Sequence, residues 1–192
     1  LTLVDHDDVG LTNLNRQAEA LESTLGQPKA AAMAERISQI NPACRLTVLG
    51  GEVRGRQPGE ILLPSPTTTS WDCIRSGVLQ AGSDRDRPGP GGIPIISSLG
   101  TGNKLDPTQF RISDLSKTQG CPLARVVRKE LRARGDCPPP GALVAGGAPG
   151  GHPDRGPAPG RRSVPGSVAW VPPAAGLMLA GDVVLALAGL RA

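Results

Sequence analysis

Aromatic side chains are nearly missing from this 192-residue sequence: it has no tyrosine, one phenylalanine and two tryptophans. None of its four cysteines forms a C-x-x-C pair, which argues against a zinc ribbon or a secreted disulfide scaffold and makes a reducing cytoplasm the expected location. Charge of one sign is lacking as well. Its 21 basic and 17 acidic residues leave a net +4, too little by itself to announce a nucleic-acid binder. No signal-peptide pattern is read, and the chain opens at Leu1 inside an apolar run without an initiator methionine, so a fragment is expected. What is plentiful is glycine and proline, 26 and 20 residues, crowded into particular stretches. The length suits one domain with a real core.

Leu1–Val4 reads as a buried strand with a carboxylate, Asp5, at its tip. After a polar crossing from Asp7 to Gln17, Gly26-Gln27-Pro28-Lys29 reads as the start of a helix, with proline where its missing N–H costs nothing. Met33, Ile37 and Ile40 give that helix one apolar face, and Asn41-Pro42 ends it. With Arg45–Leu49 as a second strand, this is the strand–helix–strand unit of a parallel α/β sheet.

From Gly50 to Gly92 periodicity is lost. It returns with a strand at Ile93–Ser98, a loop at Gly100–Asn103, a strand at Thr108–Ile112 and a helix at Cys121–Arg134 whose apolar face is Leu123, Val127 and Leu131. Gly and Pro dominate again from Gly135 to Gly160, before an expected strand at Ser167–Val171 and an apolar helix at Ala174–Leu190. Asp182 near the centre of that helix would cost about 2.5–3.5 kcal/mol in a bilayer, and Pro172-Pro173 suits a corner, so a buried core helix without membrane insertion is expected.

The N-terminal forty residues carry the chemistry: Asp5, Asn13, Arg16, Gln17 and Lys29. A carboxylate at the end of a strand in a dinucleotide-type fold accepts hydrogen bonds from ribose hydroxyls. Lys29, in the first turn of a helix, joins its charge to free N–H groups, which suits phosphate. Arg16 adds a fork of donors for phosphate oxygens. Each residue alone reads more readily as a solvated surface charge; together, one carboxylate for sugar and two cations for phosphate are what holding ATP requires. His6, among Asp5, Asp7 and Asp8, reads either as a metal ligand or as a solvated loop histidine.

LVDHDDVGLTNLNRQ followed by GQPK resembles the ubiquitin-activating-enzyme-like superfamily of the ThiF and MoeB type, whose members adenylate a carboxylate with ATP. Within it, NLNRQ, MAERISQINP and KLDPTQFRISDLSKTQGCPLARVVRKEL are most similar to the tRNA threonylcarbamoyladenosine dehydratase branch. The resemblance covers 1–49 and 93–134 well and 161–190 more loosely. It implies a Rossmann-like, ThiF-type α/β fold and an ATP-dependent, Mg2+-assisted activation of the threonylcarbamoyladenosine carboxylate in tRNA, followed by loss of water to the cyclic form. It also implies that Asp5 binds ribose while Asn13, Arg16 and Lys29 hold the phosphates, with Gln17 also in the cofactor site. Arginine at the position of Arg16 reaches into a partner subunit in such relatives, so Arg16 is the candidate catalytic residue and a homodimer is expected. Cys121 reads as structural. Arg125, Arg128, Lys129 and Arg132 form a basic stripe that is either a contact for tRNA phosphates or a solvated face.

The sequence departs from that pattern in two places. The glycine-rich phosphate loop that should precede Leu1 is missing, and Asp72-Cys73-Ile74 runs into Arg75 where relatives carry the aspartate used for magnesium, so no metal ligand is assigned. Read one register over, Pro66–Trp71 can encode YDYIV and Arg75–Gly92 can encode DPVSSKLDLIETAQARG; Asp136–Pro157 can encode IAPHLELWSPEEPLVATPTEAP. Slipped frames would explain the scarce aromatics and the Gly, Pro and Arg crowding. The expected organisation is therefore one ThiF-type domain over 1–192, N-terminally truncated, with 50–92 and 135–162 disordered or frame-slipped. Two other functions stay open: a ThiF- or MoeB-like adenylyltransferase that activates a sulfur-carrier protein, and a non-catalytic nucleotide-binding relic, which Arg75 favours.

Overall fold

Thr2–Asp5 (β1) and Thr47–Gly50 (β2) lie side by side as a parallel pair in the computed structural model, with Thr2 opposite Thr47 and Asp5 opposite Gly50. The structure describes residues 1–50, 70–72, 95–118, 121–133, 142–145 and 166–190. They belong to two units, Leu1–Gln57 and Pro58–Ala192.

In the first unit the crossover between the parallel strands is carried by a helix, Lys29–Ile40 (α1), because no tight turn joins parallel neighbours. Its run of alanines favours helix strongly. Asn41, with φ −140°, leaves the helix for the extended backbone that Pro42 demands. α1 packs on both strands, yet its buried residues are Ala30 and Ala32. The expected face is only partly right: Met33 and Ile37 are half-buried and Ile40 is 74% exposed. The crossing chain explains the shift. Val9 and Ala20 close over Ala32, with Leu14 and Leu25 at the margin, so a second side of the helix is covered. Ile40, at the last turn, has no such cover.

In the second unit Ser70–Asp72 (β3) pairs in parallel with Ile95–Ser97 (β4), and Phe110–Ser113 (β5) pairs antiparallel with Ala142–Ala145 (β6). β3 and β6 fall inside the segments 50–92 and 135–162; beyond residue 50, the remainder of both lies outside the described residues. Pro122–Ala133 forms α2 and Val171–Leu187 forms α3.

α3 places Val171, Ala175, Leu179 and Val183, one per turn, against Ile96 and Phe110. Its start corrects the sequence reading. Ser167–Val171 is not a strand: Val171 is the first helical residue, and Pro172 and Pro173 sit in the opening turn, where no N–H is needed. Its far end is closed by Gly189, whose φ of +70° lets Leu190 N donate to Leu185 O at 2.9 Å and Gly189 N to Ala186 O at 3.1 Å. The helix is buried along one stripe only, because Leu177, Val184 and Leu187 are exposed. Among the described residues no helix is long and apolar enough to cross a membrane.

The segment leading into β5 differs from the expected strand at Thr108–Ile112 because a carboxylate caps it. Asp106 accepts from Thr108 N at 2.9 Å, Thr108 Oγ1 at 2.6 Å and Gln109 Nε2 at 2.9 Å, holding Pro107–Gln109 as one 3-10 turn, and β5 begins only at Phe110. Asp114 repeats the device, accepting from Ser116 N at 2.8 Å. Upstream, Asn103 takes a left-handed backbone, φ 57°, exchanges two 2.8 Å hydrogen bonds with Gly166, and lies near Leu105, whose carbonyl accepts from Trp170 Nε1 at 2.8 Å. This clamp fastens the loop after β4 to the approach of α3.

α2 buries Ala124 and Val127 in a second core with Leu99, Leu115 and Cys121. Cys121 Sγ accepts from Ala124 N at 3.4 Å, and a side-chain carbon added to Gly100 would meet that sulfur at 3.4 Å, so the thiol is a packing element of this joint.

Phe110→Ala is expected to cost about 3–5 kcal/mol, seen as a lower denaturant midpoint at unchanged slope; Leu177→Ala should stay within about 0.5 kcal/mol. The hydroxyl, amide and backbone donors around Asp106, and those of Ser116 at Asp114, hold both carboxyls below the usual carboxylate range. Their contribution to stability is therefore present above about pH 4 and disappears as pH falls through the lowered native values. Acid titration of an Asp106→Asn/Asp114→Asn variant should show a shallower loss of stability below that pH than the unsubstituted chain.

Candidate functional site

The site is built at the carboxyl end of β1, the edge of a parallel pair where α/β proteins place their ligands. Asp5, half-buried, closes the strand, and its Oδ1 accepts from Asp7 N at 2.9 Å, which bends the chain away from the sheet. The return segment is then laced across it. Val9 N donates to Gln27 O at 2.8 Å, Gly26 N to Val9 O at 2.9 Å and Lys29 N to Asp7 O at 3.0 Å. Val9, 2% exposed, anchors the lacing from below. The result sets the first residue of α1 beside the end of β1. Lys29 Nζ reaches Asp7 Oδ2 at 3.3 Å, with the lysine side chain only 12% exposed.

Asn13 and Arg16 form a second network on the turn between residues 10 and 17. Asn13 Oδ1 accepts from Gly10 N at 2.9 Å, while Arg16 N and Gln17 N donate to Asn13 O at 3.1 and 3.0 Å. Arg16 Nη1 donates to Thr12 O at 2.6 Å and to Asn15 Oδ1 at 2.9 Å, folding the guanidinium back over its own turn. Gln17 Oε1 is buried and has no hydrogen-bond partner among the described residues. No hydrogen bond or ion pair among the described residues joins this turn to Lys29, so the five sequence-predicted residues form two groups.

Two details differ from the sequence reading. The helix start holds out fewer N–H groups than a bare first turn would: Lys29 N is taken by Asp7 O, and Ala31 N and Ala32 N both donate to Pro28 O at 3.0 Å, which leaves Ala30 N. Asp7, which the sequence reading treated only as a neighbour of His6, is the partner of Lys29, and an acid one residue past a strand-end pair was the available signal.

The donor set fits a nucleotide. Among the described residues, Lys29 keeps donor capacity beyond Asp7, Arg16 keeps Nε and Nη2, Asn13 keeps its amide nitrogen, and the buried Gln17 Oε1 is an acceptor without a partner. Asp5 Oδ2 is an acceptor suited to a ribose hydroxyl. Among the described residues a protein-held Mg2+ is not fitted. Ligand atoms of Asp5, His6 and Asp7 come within 4.8 Å of one another, but the Lys29 ammonium already lies against Asp7 Oδ2 at 3.3 Å and opposes a second cation. Mg2+ also prefers an all-oxygen octahedron. Arg75 lies outside the described residues.

Lys29→Ala is expected to weaken binding of AMP or ATP about 10- to 100-fold, the loss of one charge-assisted hydrogen bond. Calorimetric titration measures it, with Asp106→Asn as a substitution that leaves the affinity unchanged.

Residues 1–77 match the model of the ThiF family. The chain is 42% identical over 139 residues to the tRNA threonylcarbamoyladenosine dehydratase of Bacillus subtilis (strain 168), a match spanning 70% of this chain and 52% of that protein. The chain thus spans about half the length of the curated relatives it matches. Its structure superposes on the crystal structure of Escherichia coli tRNA N6-threonylcarbamoyladenosine dehydratase, TcdA, with a TM-score of 0.79 and 30% identity, over 99% of this chain and 77% of that one. The same enzyme in complex with ATP matches with a TM-score of 0.77 and 29% identity, over 100% and 77% of the two chains. The α/β, ThiF-type fold expected from the sequence is the fold found, and the chain belongs to the ThiF family, in the branch of the tRNA threonylcarbamoyladenosine dehydratases.

Proposed function

We propose that this chain serves the ATP-dependent dehydration of threonylcarbamoyladenosine in tRNA, as a homodimer in the cytoplasm. The observation that carries the reading is the Asp5–Asp7–Lys29 cluster at the end of β1, in a chain 42% identical to a dehydratase of that name. ATP, when bound, supplies the phosphorus that activates the substrate carboxylate. Lys29 and Arg16 hold the phosphate charge, Lys29 from its place beside Asp7 and Arg16 once it has swung off its own turn, since charged donors aimed at phosphate oxygens stabilise the charge that develops there. Asp5 orients the ribose, and Asn13 and Gln17 bracket the turn that carries Arg16. Arg16, the candidate catalytic residue, must leave Thr12 O and Asn15 to reach a ligand or a partner subunit. Ring closure then needs the carbamoyl nitrogen to attack the activated carboxyl carbon and expel the activating group, a net loss of one water.

A second reading, a nucleotide-binding relic without turnover, is favoured by one observation: the basic Arg75 stands where an acid is expected. The sulfur-carrier alternative has no such support, because its relatives carry paired C-x-x-C ligands and this chain has none.

Radiolabelled ATP separates the three. Conversion to AMP that depends on tRNA is the expected result, with Arg16→Ala slowed at least about 10-fold. Dependence on a small carrier protein would favour the alternative. No conversion, in a gene whose codons 66–92 and 136–157 resequence as written, would establish the relic and remove the frame-slip explanation of those segments.

A further inference from the structure

The two sides of α2 are unlike. Ala124 and Val127 are sealed against Leu99, Leu115 and Cys121, while Arg125, Lys129 and Arg132 lie exposed at i, i+4 and i+7 on the opposite side. Arg128, which the sequence groups with them, is a strut: half-buried, its Nη1 donates to Thr118 O at 3.0 Å and to Leu115 O at 3.3 Å, tying the helix to the turn before it. The other three guanidinium and ammonium groups have no carboxylate partner among the described residues.

We propose that Arg125, Lys129 and Arg132 form a docking surface for the phosphate backbone of the tRNA substrate. This deepens the proposed function and rests on it. The three charges span about 10 Å of helix, close to one Debye length at physiological salt, so they act on a polyanion as one field. The helix is fixed by its buried face and by Arg128, and little ordering is left to do when a strand of phosphates settles on it. An anionic membrane is the poorer partner: a surface-binding helix needs a free apolar face to insert, and the apolar face of α2 is already spent on the core.

The test is equilibrium binding of unfractionated tRNA to the full chain between about 50 and 200 mM salt. Arg125→Gln/Lys129→Gln/Arg132→Gln should lower the slope of log affinity against log salt by about 2, since each phosphate contact contributes about 0.7–0.9. AMP binding should be unchanged. Arg125→Lys/Arg132→Lys should keep the parent slope, and Lys129→Gln alone should lower it by about 0.7–0.9, which keeps the test decisive if the triple variant folds poorly. A parent that binds tRNA while the variants match it in slope and affinity overturns the surface and leaves the function standing. A parent that binds AMP but no tRNA overturns the function, and the surface with it. If the substitutions instead remove sedimentation with anionic vesicles and spare tRNA, the surface faces lipid and the inference fails.

Discussion

Lacing residues 26–29 back across residues 7–9 fixes where α1 begins, and almost everything in the N-terminal unit follows from that. Three main-chain hydrogen bonds and the buried Val9 leave the helix one place to start, beside the tip of β1. A lysine at that first position must then meet the acid just beyond the strand. The largely buried ammonium needs a counter-charge when no ligand is present, and Asp7 supplies one at 3.3 Å. The pair keeps that cation compensated at the tip of β1.

The second unit relies on short-range caps. Asp106 and Asp114 each satisfy the open N–H groups of a single turn, and those turns flank β5 so that Phe110 enters the strand already aimed at α3. The caps give a motif such as LDPTQ a structural meaning. It specifies a turn, and the turn specifies a core.

Much of this was legible in the sequence where one physical signal acted alone. The strand ending in Asp5, the alanine-rich helix ended by Asn41-Pro42 and the second strand needed only apolar patterning and proline chemistry, although the first strand is not buried as expected: Leu1 and Val4 are exposed. Reading failed where two signals competed. Pro172 and Pro173 look like breakers, yet a first helical turn accepts both, so the helix begins earlier than its apolar run suggests. Thr108 is a good strand residue overruled by the Asp106 cap. Ile40 fits the helical period but falls where no neighbour covers it, and Arg128 fits the basic stripe but is drawn inward by two carbonyls. At the site, residue types were readable and pairings were not. That Lys29 meets Asp7 is decided by main-chain bonds between residues some twenty positions apart, and Arg16 turns back on its own loop through bonds to Thr12 and Asn15.

The clamp at Trp170 has an optical side. A chain without tyrosine emits in the near ultraviolet almost entirely through Trp71 and Trp170. Trp170 holds its indole N–H against the Leu105 carbonyl while its ring stays 56% exposed. Parting that bond would hand the indole to water and change the colour and polarisation of its light. The fold thus carries its own gauge of whether the loop after β4 is fastened to the last helix, readable without any added dye.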